Sequence, residues 1–151
     1  MIEQKRRLPP PVYLVLTLVL MMAMNAYLPL ARVIFPPVSY VGAVLVVVGT
    51  LMTGYSARLF ALAGTPLIPF ERTTTLITYG LYRFTRNPMY LGLVLIVLGV
   101  AVLQGSVGAF APIPLFAWIL QTTFVKGEER FLEQLFGARY LDYKRAVRRW
   151  L

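Results

Sequence analysis

Two short polar stretches carry most of the residue types in this chain that could do chemistry. The first runs Thr78, Tyr79, Gly80, Leu81, Tyr82, Arg83, Phe84, Thr85, Arg86, Asn87, Pro88, Met89, Tyr90, Leu91 and Gly92; the second opens with Glu128 and Glu129 and continues to Phe136, Gly137, Tyr140 and Tyr143. Arg86 is a planar multi-donor suited to a carboxylate. The adjacent glutamates suit a cation. Tyr82 and Tyr90 offer aromatic faces to an onium group or a nucleobase, an attraction worth about 0.5 to 2 kcal/mol depending on desolvation. A ligand carrying a carboxylate, an ammonium, a sulfonium and an adenine would match all of these groups, and that is the constitution of S-adenosylmethionine. The chain has neither Cys nor His. Disulfides, thiolate nucleophiles and sulfur-ligated metals are therefore excluded, no metal site is expected, and proton transfer falls to carboxylates, Tyr and Lys.

Each of these groups also has a plainer reading. Arg83 and Arg86 are about equally well explained as interfacial arginines, the glutamates as a solvated helix face, and each tyrosine as part of an aromatic belt at headgroup level. Spacing alone does not choose between the readings.

The elements that would position these residues belong to a membrane protein. Of 151 residues, 58% are hydrophobic and 14% charged, more apolar and less charged than a soluble domain. The apolar residues come in long runs, such as 12–30 and 41–51, and about 20 such residues span the hydrocarbon layer as a helix. The expected fold class is all-α: a single membrane domain, 1–151, of about four transmembrane helices and a C-terminal amphipathic helix. A basic arm at 1–11 precedes spans at 12–35 and 38–63. A loop at 64–87 follows, then spans at 88–104 and 107–125 and charged helices at 126–151. The arm's Lys5, Arg6 and Arg7 resemble the start of a signal peptide, but the apolar run after them is long and no small-residue cleavage site stands out, so a retained first helix is expected. Gly42, Gly49 and Gly54 permit close helix approach, Arg32 is expected to snorkel at the far end, and Gly137 to cap the fourth helix. Tyr140, Tyr143, Val147 and Trp150 line one face of a last helix over 138–150, which either lies on the membrane or packs over the loop.

Charge sets the expected orientation. With the N-terminus in the cytoplasm, four crossings return the C-terminus there, and all of the 15 Lys and Arg residues except Arg32 fall on that side, as the positive-inside rule requires. The expected location is a multi-pass position in a prokaryotic inner membrane with both termini cytoplasmic. The net charge of +9 is explained by the membrane, and no nucleic-acid partner is expected. The third and fourth helices form a hairpin, so the Arg86 stretch and the Glu128 stretch should emerge on one face.

The run 80–92, followed some 36 residues later by Glu128, Glu129, Leu132, Phe136, Gly137, Tyr140, Tyr143 and Val147, resembles the isoprenylcysteine carboxyl methyltransferase and phospholipid methyltransferase superfamily. The resemblance covers roughly 64–151, and its specificity lies in the two motifs occurring in order. It implies a small membrane methyltransferase that binds S-adenosylmethionine at the cytoplasmic end of its last helices and takes a lipophilic or lipid-borne acceptor from the bilayer. By position, Tyr82, Arg86, Asn87, Pro88, Tyr90 and Gly92 correspond to the Arg-His-Pro-x-Tyr region, and Glu128 and Glu129 to a Glu-Glu motif associated with the cofactor. Arg86, Glu128 and Glu129 are the candidates for catalysis, and Tyr140 and Tyr143 for substrate contact or pocket closure. Asn87 stands where the best-known members have His, and Phe124, Val125 and Lys126 stand where carboxyl-methylating members have an Arg. Two other readings remain, an NADPH-dependent membrane reductase of the sterol reductase type and a non-enzymatic membrane scaffold.

Overall fold

The computed structural model describes residues 8–65 and 75–151; Lys5, Arg6, Arg7, Glu71 and Arg72 lie outside the described residues. The described chain is helical. Its elements are α1 (Pro10–Tyr27), a 3-10 turn (Val38–Tyr40) leading into α2 (Val41–Leu62), a second 3-10 turn (Gly80–Arg83), α3 (Pro88–Gln104), α4 (Val107–Phe136) and α5 (Ala138–Ala146). Pro10 and Pro88 each open a helix, where a missing N–H leaves no partner unsatisfied. Three stretches, Pro10–Tyr27, Val38–Leu62 and Val107–Phe136, are long and apolar enough to cross a membrane. At 17 residues α3 is shorter and extends about 25 Å against a hydrocarbon layer of about 30 Å. Val15, Leu16, Val19 and Met22 of α1 and Val44, Val47 and Leu51 of α2 are exposed, which lipid tolerates and water does not.

Close backbone contacts show how the helices run. A Cβ on Gly49 would stand 2.5 Å from Gly92 O, and one on Gly99 2.5 Å from Gly42 O, so α2 and α3 are antiparallel and touch main chain to main chain. Thr53 Oγ1 adds a hydrogen bond to Met89 O at 3.3 Å. Below this pair, Met21 of α1, Val97 and Ala101 of α3, and Phe116, Leu120 and Phe124 of α4 close the core. The end of α1 and the start of α4 meet at one end of the bundle; the end of α2, the start of α3 and the charged part of α4 lie at the other.

The first helix is shorter than the expected 12–35. It stops at Tyr27, because Pro29 supplies no donor and biases Leu28 away from helical ψ, and Leu30 takes a φ of 59°. The freed backbone pairs with the α3–α4 turn instead: Val33 N and Ile34 N donate to Gly105 O at 2.8 and 3.1 Å, and Val107 N donates to Ala31 O at 2.9 Å. Arg32 joins this bridge opposite Ser106, and its guanidinium sits 5.7 Å from the Phe35 ring centre.

The last helix also departs from the expected 138–150. It ends at Ala146, and Val147 is extended, with φ −124° and ψ 133°. The residues that follow the helix are drawn across the first polar stretch, whose donors take the carbonyls of Val147, Arg148 and Arg149. Between these two departures α4 runs on past its apolar part to Phe136, with a π turn at Leu120–Val125 and a stop at Gly137, where φ is 54°. Such turns are frequent at functional sites, and this one ends three residues before Glu128.

Candidate active site

At the charged end, α3 and α4 hold the two polar stretches against each other. Arg86 is the hub, with its side chain 9% exposed. Its Nε and one terminal nitrogen donate to Glu129 Oε1 at 3.2 and 2.9 Å. Its other terminal nitrogen donates to Lys144 O at 2.9 Å and Val147 O at 2.7 Å. Four of the five donors of a guanidinium are thereby used within the protein. Glu129, buried at 5% exposure, also receives Arg149, through Nε on Oε1 at 3.0 Å and a terminal nitrogen on Oε2 at 2.7 Å. Burial pushes the Glu129 carboxyl up, but the hydrogen bonds and charges of Arg149 and Arg86 outweigh it and hold the group below the usual carboxylate range.

Glu128, one residue earlier, turns to the other side. It accepts a hydrogen bond from the Tyr90 hydroxyl. The Tyr90 ring stacks on Phe124 at 6.0 Å, and Phe124 meets Tyr13 of α1 edge-on at 5.6 Å. Glu128 lies beyond the apolar stretch of α4. Withdrawal from water raises its carboxyl to about 7, the Tyr90 hydrogen bond pulls it down, and the Glu129 charge adds to the rise. The fold thus favours protonated Glu128, and the stability this group contributes at acid pH is lost as pH rises from about 4.5 to about 7. Glu129 acts in the opposite sense, but only below its ordinary range. With no His in the chain, Glu128→Gln is expected to flatten the fall in unfolding temperature between about pH 5 and pH 8, measured on protein in detergent; an unchanged slope would remove Glu128 as its source.

The remaining expected residues divide. Tyr82 is buried, its ring edge-on to Phe60 at 5.8 Å, and its carbonyl accepts the Tyr143 hydroxyl at 2.7 Å. Asn87 is buried and donates through Nδ2 to Arg149 O at 3.0 Å. Thr85 Oγ1 donates to the same carbonyl at 3.0 Å, and Arg86 N donates to Arg148 O at 2.9 Å. Tyr140, 1% exposed, has its ring 6.1 Å from that of Tyr143. Burial pushes the phenols of Tyr82, Tyr140 and Tyr143 up, so they stay neutral, and that of Tyr143 donates. Gly92 stands apart from this group, against Gly49 and Thr53 of α2. Beside the network an open cleft of about 320 Å³ is lined by Lys126, Glu129, Arg130, Glu133, Lys144 and Arg149.

Residues 38–139 match the family described as phospholipid methyltransferase, a span that takes in α2, α3, α4 and both motif cores. The chain belongs to the phospholipid methyltransferase family. Over 112 residues it is 31% identical to a probable protein-S-isoprenylcysteine O-methyltransferase of Oryza sativa subsp. indica. It is 29% identical over the same length to protein-S-isoprenylcysteine O-methyltransferase A of Arabidopsis thaliana. These alignments cover 73% of this chain but 59% and 57% of those proteins, so the chain spans somewhat more than half the length of the relatives it matches.

In this phospholipid methyltransferase family member the sequence reasoning missed Arg149, Thr85, Lys144 and the Trp150–Gln121 contact, in which Trp150 Nε1 donates to Gln121 Oε1 at 3.0 Å. Arg149 sits in a basic doublet on what reads as the polar face of a helix. The one available signal was arithmetic: a buried glutamate pair needs positive partners, and the tail is rich in them.

Proposed function

We propose that this chain is an S-adenosylmethionine-dependent membrane methyltransferase acting on a lipophilic or lipid-borne acceptor. The acceptor classes in play are an isoprenylcysteine-like carboxylate, a phospholipid amine and a thiol. The observation that carries the reading is the division of Glu128 and Glu129 between two faces of α4. Glu129 faces the charged cleft, and Glu128 faces Tyr90 and the aromatic side of the bundle.

The cleft's chemistry suits the donor's amino-acid end. Glu129 and Glu133 would hold the ammonium, and Lys126 and Arg130 the carboxylate. Its volume lies near the lower bound of small-molecule pockets, about 300 Å³. When bound, the cofactor supplies an activated methyl group with its own leaving group, so the protein's work is to orient and to exclude water. Arg86 is a positioning residue in this scheme: it fixes Glu129 and gathers the carbonyls of Lys144 and Val147. Glu128, titrating near neutrality, is placed to accept a proton from a thiol or amine; a carboxylate acceptor needs none.

The test is a titration of the purified full chain in detergent with S-adenosylhomocysteine and, separately, NADPH. Binding of S-adenosylhomocysteine alone is the expected result, and binding of NADPH alone would end the methyltransferase reading. Labelled methyl transfer into a total lipid extract then identifies the acceptor class.

A further inference from the structure

The carboxylate best placed to meet a cation in the cleft is already taken by one of the chain's own cations. Glu129 Oε1 is held from inside by Arg86. Its other oxygen, Oε2, is bonded by Arg149 at 2.7 Å. The two arginines are not equivalent. The Arg86 side chain is 9% exposed, whereas that of Arg149 is 34% exposed and forms part of the cleft wall.

The main chain at this position is held separately from the side chain. Arg149 O accepts from Thr85 Oγ1 and Asn87 Nδ2, and Arg148 O accepts from Arg86 N. The tail can therefore stay seated while the guanidinium turns out into water. That single rotation would leave Glu129 Oε1 on Arg86 and open Oε2 to the cleft.

We propose that Arg149 is an intramolecular stand-in for the cationic group of the ligand, holding Glu129 Oε2 until the ligand's ammonium displaces it. This rests on the methyl-donor reading above and adds to it a residue that governs affinity. The stand-in keeps Glu129 Oε2 partnered in the free protein, where a buried acceptor left unsatisfied would be costly. The ligand must then compete with a tethered guanidinium for its own anchor.

The sign of the effect separates this role from a structural one. Arg149→Gln keeps the carbonyl that Thr85 and Asn87 use and removes only the competing charge. It is expected to bind S-adenosylhomocysteine about two- to five-fold more tightly than the wild type, the range of a partly exposed ion pair. Binding of 5′-methylthioadenosine, which lacks the amino-acid end and its ammonium, should not change. Arg149→Lys, which keeps one competing cation, should stay near wild-type affinity for both probes. Equal or weaker S-adenosylhomocysteine binding by Arg149→Gln, an equal gain for both probes, or a variant that loses its fold would overturn the stand-in role. Wild-type protein that binds neither probe would overturn the methyl-donor reading and this inference with it.

Discussion

Arg86→Ala is expected to lower stability by about 3 kcal/mol, at the bottom of the range of about 3 to 5 kcal/mol for breaking a buried ion pair, and to abolish the proposed binding of the methyl donor. The lower bound applies because Arg149 remains on Glu129. For a chain of this size the change corresponds to a fall of about 6 to 12 °C in unfolding temperature. Two causes add. Glu129 loses the two Arg86 donors on Oε1 and keeps only Arg149, and the carbonyls of Lys144 and Val147 lose the guanidinium that draws the tail inward. Arg86→Lys keeps the charge but not the planar fork, so it should recover only part of the loss. The comparison with Arg149→Gln is decisive, since both residues pair with the same carboxylate. The buried partner should cost several times more than the exposed one, whose removal is worth about 0.2 to 1 kcal/mol. Thermal denaturation of both variants in detergent checks this, and equal losses would show that burial does not rank the two arginines.

Much of this layout was legible in the sequence because membrane physics leaves few alternatives. Runs of apolar residues of spanning length, a basic bias and one hairpin turn at Gly105 and Ser106 suffice to bring Arg86 and Glu129 to the same end. Where reasoning from pattern failed, the backbone had found partners distant in sequence. Near Tyr27 only Asn25, Pro29 and Arg32 interrupt the apolar run, and its continuation to Phe35 concealed a segment bonded to Gly105. In the tail, no Gly or Pro marks the break after Ala146. The helix yields there because its carbonyls are worth more to Arg86, Thr85 and Asn87 than to another helical turn. The site shows the same logic. Arg86 carries the right chemistry for a ligand carboxylate, yet the structure commits four of its donors within the protein, and only a three-dimensional count of donors reveals that.

Gly92 poses the sharpest test of how α2 supports the site. It lies in the motif stretch, yet its α-carbon faces α2, where a Cβ would come within 2.3 Å of Thr53 Oγ1, 2.6 Å of Gly49 O and 3.0 Å of Thr53 N. The hydroxyl can turn, but Gly49 O and Thr53 N are main chain and cannot swing aside, so Gly92→Val must push the two helices apart. Overpacking of this kind costs about 1 to 3 kcal/mol, occasionally more, and the upper end is expected because two of the three contacts are backbone. The displacement would fall on the first turn of α3, which Thr53 pins through Met89 O and which carries Tyr90 to Glu128. Donor binding is therefore expected to fail together with stability, although Gly92 touches none of the charged groups. Gly54, one helical turn and a half along α2 from Gly49, supplies the control. A Cβ there meets nothing within 4 Å, so Gly54→Ala should be neutral or stabilising by up to about 1 kcal/mol from helix propensity. If Gly92→Val kept wild-type stability while donor binding fell, the residue would belong to the binding site rather than to the helix interface. If both variants lost stability equally, close approach of α2 and α3 would not be what holds α3 in place.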